Sequence, residues 1–202
     1  MRMVRRVLWV LVAFALLGFG WLLYEREMTP ERPPVDLPDV SELGGPFTLT
    51  DHRGNIFTQA DVEGAPYAVF FGFTHCPDVC PTTLFALSEL MPKLGEGADR
   101  LKILFVTVDP ERDTPEQLAL YMSSFDPRIT ALSGSPEETA RMIANFKAYA
   151  RKVPTEGGSY TMDHTSLVFL MGADGRFVST LDQHEPTEIQ LGKLQRLLAR
   201  SQ

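Results

Sequence analysis

Cysteine is scarce in this chain: Cys76 and Cys80 are the only two among 202 residues, beside two tryptophans and four histidines. One disulfide or one pair of soft metal ligands is the most that these thiols can build. No stripe of lysine and arginine is present to neutralise a phosphate backbone, and acidic side chains outnumber basic ones, 26 to 19, which argues against nucleic acid as a partner. No segment repeats at the spacing of a solenoid or a propeller. With 44% apolar and 22% charged residues, the composition is neither disordered nor low in complexity. What remains is one globular domain of ordinary size with an extension.

The extension has a direction. Arg2, Arg5 and Arg6 precede an uncharged run, 7–23, with Trp9, Trp21 and Tyr24 near its ends. Such a run is short but sufficient for a spanning helix, and its aromatics stand where lipid headgroups would lie. Arginines before the run and Glu25 and Glu27 after it predict a cytoplasmic N-terminus and a remainder on the exported, periplasmic-type side. A cleaved signal peptide is the alternative, because Gly18-Phe19-Gly20 offers small residues at a cleavage site. Either way the working domain is exported. The chain divides into a single-pass membrane anchor at 1–24, a linker at 25–45 stiffened by Pro30, Pro33, Pro34 and Pro38, and a domain at 46–202.

Within the domain, Phe47-Thr48-Leu49-Thr50 and Ile56-Phe57-Thr58 alternate around a Gly-containing loop and predict an N-terminal β-hairpin, a small outer ribbon. Residues 67–73 form a continuous apolar run, as in a buried central strand. Residues 82–94 carry Leu84, Leu87, Leu90, Met91 and Leu94 at helical spacing. Strands at 102–108 and 129–132 are each followed by a Ser/Thr-Pro-Glu helix start, Thr114-Pro115-Glu116 and Ser135-Pro136-Glu137. Two more strands, 166–171 and 176–181, flank the turn Gly172-Ala173-Asp174-Gly175, and an amphipathic helix, 187–199, closes the chain. Strands alternating with helices and ending in an antiparallel pair imply a mixed α/β sheet with helices on both faces.

The two cysteines lie in Phe71-Gly72-Phe73-Thr74-His75-Cys76-Pro77-Asp78-Val79-Cys80-Pro81, where the central strand hands over to a helix. Unpaired backbone N–H groups and the positive end of the helix dipole stabilise a thiolate there. Two soft ligands four positions apart close a disulfide or hold a soft metal ion.

This arrangement resembles the thioredoxin superfamily, and more closely the Sco/SenC family of membrane-anchored, thioredoxin-like copper-binding proteins. Gly72-Phe73-Thr74-His75-Cys76-Pro77-Asp78-Val79-Cys80-Pro81 is similar to that family's metal-binding signature. Val106-Thr107-Val108-Asp109-Pro110-Glu111-Arg112-Asp113-Thr114-Pro115 is similar to its second block, and Asp163-His164-Thr165 to its third. The resemblance runs from about Phe47 to the final helix and includes the anchor. It implies copper, as Cu(I) or Cu(II), held by Cys76, Cys80 and His164. It further implies a metallochaperone that assists assembly of the copper centre, CuA, of cytochrome c oxidase. The partners implied are the oxidase's copper-bearing subunit, a copper donor, an exported thiol reductant that keeps the cysteines open, and the membrane.

The residues speak for a similar site on their own chemistry, because thiolate and imidazole suit copper. Of the histidines, His52 and His184 fall in loops, and His75 points away from its neighbour Cys76 in an extended segment. His164 precedes a strand near the place from which thioredoxin-like folds approach the cysteine turn; a core histidine satisfied by backbone groups is its ordinary alternative. Asp78 reads as a helix cap, and Asp163 as either a cap or a group orienting the ligands. Asp109, Arg112 and Asp113 read as a structural corner, and Met142, Met162 and Met171 as core packing.

A different class of function is a thiol–disulfide oxidoreductase in which Cys76 attacks and Cys80 resolves. Redox members of the superfamily typically carry Cys-x2-Cys and a cis-proline facing it. This chain has three intervening residues and Met162-Asp163-His164-Thr165 without a proline. A one-cysteine peroxidase fits less well still, since the usual proline and threonine framing is absent.

Overall fold

The computed structural model describes residues 2–28 and 42–200. It divides into two units, 1–38 and 39–202. The first holds helix α1, Arg2–Met28, with no acidic residue in its first turn. Apolar side chains are exposed all round it, Leu8, Trp9, Leu11, Phe14, Leu17 and Trp21 among them. The helix continues past the expected end at Tyr24. Among the described residues no helix is long and apolar enough to cross a membrane. The side chains of Leu22 and Leu23, which complete the uncharged run, lie outside them, as do residues 29–41 with most of the expected linker.

In the second unit, strands β1 (Thr48–Asp51) and β2 (Ile56–Thr58) form the expected hairpin, and β3 (Tyr67–Gly72) is buried at every position. Helix α2 (Val79–Lys93) follows, then β4 (Lys102–Thr107), α3 (Pro115–Met122), β5 (Ile129–Ser133) and α4 (Pro136–Asn145). Both Pro-initiated helices start as their sequences dictate. Thr114 and Ser135 accept from the backbone N–H groups of Gln117 and Glu138, and Ser135 with Glu138 completes a capping box. Strands β6 (Ala150–Pro154) and β7 (Tyr160–His164), then β8 (Val168–Met171), β9 (Phe177–Leu181) and α5 (Thr187–Arg200) complete the order.

Seven strands form one mixed sheet in the order β2-β1-β5-β4-β3-β8-β9. Strand β3 runs parallel to β4 and antiparallel to β8, so it sits inside the sheet, and its side chains face apolar neighbours on both sides. Phe70 and Phe71 are fully buried, each contributing roughly 1.5–3 kcal/mol. The cysteine loop therefore leaves from a rigid strand.

Three details differ from the sequence expectation. The N-terminal hairpin is no separate outer ribbon, because β1 pairs with β5 (Thr50↔Ser133) and extends the sheet. Helix α2 starts at Val79, three residues early, which places Cys80 in its first turn. The two-stranded ribbon β6–β7 was not foreseen. Its positions are mostly exposed or partly exposed, so no alternation of buried and open residues marks it in the sequence.

Candidate metal centre

Strand β3 ends on Gly72 for a steric reason. A Cβ there would lie 2.5 Å from the Phe105 ring and 2.8 Å from Cys80 Sγ. Only glycine leaves the buried sulfur its space. The chain then turns, with Cys76 N donating to Phe73 O at 3.2 Å. At the start of α2, Cys80 N has no intrahelical partner and donates to Cys76 Sγ at 3.4 Å. Cys80 is fully buried, whereas Cys76 is partly open.

The two thiols share one proton. A hydrogen bond from the Cys80 thiol, helped by His164 and by the N–H groups of Asp78 and Cys80, outweighs burial and draws the Cys76 pKa down from 9.0 to about 3. The same hydrogen bond, with burial and the Cys76 charge, pushes the Cys80 thiol up. Cys76 is the thiolate and Cys80 keeps the S–H.

His164 is the last residue of β7, and its ring meets Phe73 and Phe70 edge to face, with centroids 5.7 Å and 6.4 Å away. Its Nδ1 lies 3.0 Å from Thr165 O, which only accepts, so Nδ1 carries a proton. Nε2 is left facing the thiols, 3.5 Å from Cys80 Sγ. Bare, it is a ligand; protonated, it donates to a thiolate. One ligand atom from each of Cys76, Cys80 and His164 falls within 4.8 Å of the others. Thiolate–metal bonds of about 2.3 Å place the ligands of a trigonal ion roughly 4 Å apart, so a small inward movement closes the set. An open hollow of about 260 Å³, lined by Cys76, Pro77, Val79, Met162 and His164 among others, leads to it.

The loop after β4 supports both sides of the site. Asp113, fully buried, accepts from Thr74 N at 2.9 Å, Thr74 Oγ1 at 2.6 Å and Thr107 Oγ1 at 2.7 Å, which ties the cysteine loop to β4.

The sequence profile of the SCO1/SenC family matches residues 35–199, a range that contains Cys76, Cys80 and His164. The chain belongs to the SCO1/SenC family. The mitochondrial SCO2 homolog of Bos taurus is 36% identical over 178 residues, 85% of this chain and 67% of that protein. The mitochondrial SCO1 homolog of Mus musculus is 38% identical over 146 residues, 71% of this chain and 51% of that protein, so the chain spans about half that relative's length. Among solved structures, Bradyrhizobium japonicum ScoI with copper bound is 50% identical, with a TM-score of 0.72 over 77% of this chain and 99% of that one.

In this SCO1/SenC chain the three residues singled out by sequence, Cys76, Cys80 and His164, do converge. The other histidines do not join them. His52 Nδ1 accepts from Ala131 N at 3.1 Å, His184 lies 2.8 Å from Asp182, and His75 Nδ1 stands 3.0 Å from Thr74 Oγ1. Asp78 occupies the N-cap position of α2, but its side chain takes the Thr82 hydroxyl at 3.3 Å instead of a backbone N–H. Asp163 pairs with Arg151 across the ribbon at 3.3 Å. Met142 and Met171 are fully buried core residues, and Met162 packs against the core from the side. Sequence reasoning passed over Thr74 and Tyr160, whose roles depend on partners from distant segments.

Proposed function

We propose that this chain is a copper metallochaperone that holds the ion through Cys76, Cys80 and His164 and passes it to the copper-bearing subunit of cytochrome c oxidase during CuA assembly. The observation that carries this reading is the convergence of two thiols and an imidazole within 4.8 Å. Two thiolates and one imidazole suit copper, and Cu(I) in particular. The copper-bound ScoI of Bradyrhizobium japonicum, half identical in sequence, supports the choice of metal.

Copper is cargo here. The fully buried Cys80 holds the inner side of the ion, while Cys76 and His164 face the hollow, where a recipient's thiol or imidazole enters and takes the ion by ligand exchange. Reduction is obligatory, because a Cys76–Cys80 disulfide removes both thiolates; an exported thiol reductant keeps the pair open, and a copper donor supplies it. The arginines ahead of the uncharged run 7–23, and the apolar side chains exposed all round α1, support an anchor that holds the domain at the outer face of a membrane.

The alternative, a thiol–disulfide oxidoreductase, draws on the same low-pKa Cys76. A resolving and an attacking thiol alone do not call for an imidazole nitrogen facing them, and His164 supplies one. An anaerobic Cu(I) titration of the reduced full chain in detergent, against a competing chelator, tests the assignment. One tight copper per chain is expected, weakened at least 10- to 100-fold in His164→Ala. Weak binding, or binding indifferent to that substitution, returns the site to redox chemistry.

A further inference from the structure

His164 is carried on an arm. The ribbon β6–β7 forms a sheet of its own and pairs with no strand of the main one. Open hollows of about 260 Å³ and about 210 Å³ undercut it, with Met162 lining both. Of its apolar residues Ala150 and Met162 pack against the core, and the His164 ring adds edge-to-face contacts with Phe70 and Phe73. Packing thus holds the His164 end of β7, where Thr165 N also donates to Tyr149 O at 3.0 Å, and leaves the far end at Tyr160 to be held by other means.

The opposite end of β7 is clamped. Tyr160, its first residue, donates its hydroxyl to Asp109 Oδ1 at 2.9 Å, and its backbone oxygen accepts from Arg112 Nη1 at 3.1 Å. The Arg112 guanidinium lies over the Tyr160 ring at 3.8 Å and near the Phe73 ring at 5.8 Å, and its Nε binds the Asp109 carboxylate. Lys152, from β6, covers the Tyr160 ring at 4.2 Å and pairs with Glu111 at 2.8 Å. The clamp residues of the body all come from 109–112, next to Asp113, which holds Thr74 on the cysteine side. A single short loop thus references both halves of the site.

We propose that Arg112 and Tyr160, acting with Asp109, are positioning residues that set where His164 stands relative to Cys76 and Cys80. The inference rests on the metal-holding reading above. Tyr160 and His164 are four residues apart on one strand, roughly 13 Å. With the His164 end held by Phe70, Phe73 and the Tyr149–Thr165 backbone pair, the clamp at Tyr160 fixes the tilt of the strand and with it the aim of the imidazole at the sulfur 3.5 Å away. Stability alone is a poor account of the clamp. Arg112 Nη2 is buried with no hydrogen-bond partner, an arrangement that costs free energy.

The test uses the reduced full chain in detergent, with Cu(I) titration, the Cu(II) electron paramagnetic resonance spectrum and amide hydrogen exchange read in parallel. Arg112→Gln is expected to weaken copper by about tenfold and move the Cu(II) spectrum towards that of His164→Ala. The double variant is expected to bind no more weakly than His164→Ala alone, because the clamp acts only through the histidine. Arg112→Lys, which keeps the charge but lacks the planar fork, is expected not to restore binding. Tyr160→Phe removes one hydroxyl, guards against misfolding and is expected to shift both readouts the same way by less.

Unchanged copper binding and spectrum in Arg112→Gln, or losses that add to those of His164→Ala, overturn the proposal. If the wild type takes up no copper, the metal reading falls by itself. The clamp is then judged by exchange at 150–164, which must rise in Arg112→Gln while β3 and β4 stay protected; unchanged exchange sinks it.

Discussion

Cys80 and His164, 84 positions apart, meet with Sγ and Nε2 at 3.5 Å. One comes from the first turn of a helix anchored on the central strand, the other from the end of a ribbon outside the main sheet. The site exists only once both have been delivered. Groups that hold either element therefore act on the site without touching it.

The shared proton of the thiol pair predicts a pH dependence with a definite sign. The folded Cys76 thiol titrates near 3 against an ordinary 9.0, so between these values the folded chain holds fewer protons than the unfolded one. Its contribution to stability is full above about pH 9 and is lost as pH falls towards 3. Cys80 shifts the other way, so above its ordinary value the folded chain keeps a proton that the unfolded one releases, and stability declines again. Urea unfolding of the reduced, metal-free chain should show an advantage over Cys76→Ser that grows from pH 5 to pH 8. An advantage that shrinks over that range contradicts the assignment.

Asp113 is expected to be worth more than its distance from the thiols suggests. Fully buried, it accepts three hydrogen bonds from Thr74 and Thr107. Asp113→Asn turns one acceptor into a donor facing donors and should destabilise the chain by about 1.5–3 kcal/mol. Denaturant titration of the metal-free protein measures it, and a change within about 0.5 kcal/mol shows that these three hydrogen bonds are dispensable.

The central part of this architecture was legible because each signal was local. The apolar run that became β3, the Thr114 and Ser135 helix starts, and the cysteines at a strand–helix junction all depend on neighbours within a few residues. His164 could be ranked above His52, His75 and His184 by its place in the chain. The ribbon that carries it could not be seen, since Arg151, Lys152 and Pro154 give β6 no apolar face, and its hold on the body comes from Arg112, 48 residues before Tyr160. Gly72 belongs to the same class. Its sequence context reads as strand, and only the packed Phe105 ring and Cys80 sulfur show why no side chain is allowed there.

Gly72→Ala accordingly serves as a steric probe. The added methyl would meet the Phe105 ring at 2.5 Å and Cys80 Sγ at 2.8 Å, both in a fully buried region with little room to yield. Overpacking of this kind costs typically 1–3 kcal/mol. The variant should lose that much in denaturant titration and should also bind Cu(I) more weakly, because the sulfur is displaced. Unaltered affinity with lowered stability would mean that the Phe105 ring alone absorbs the strain.

Copper loading gives the sharpest test of the pair's protonation. The reduced site begins with one thiolate, Cys76, and one thiol, Cys80, so placing Cu(I) on both sulfurs must release one proton per ion. An indicator dye in weakly buffered, anaerobic solution at pH 8 counts it. Two protons would show that Cys76 or the His164 Nε2 carries one beforehand, and none would show that Cys80 keeps its proton and is no ligand. The oxidised chain, with both sulfurs in a disulfide, should bind no tight copper and release nothing until a reductant returns two electrons and one proton to the pair, restoring the Cys76 thiolate and the Cys80 thiol. The proton count thus separates a three-ligand site from one that uses the exposed sulfur alone, a distinction that affinity by itself does not make.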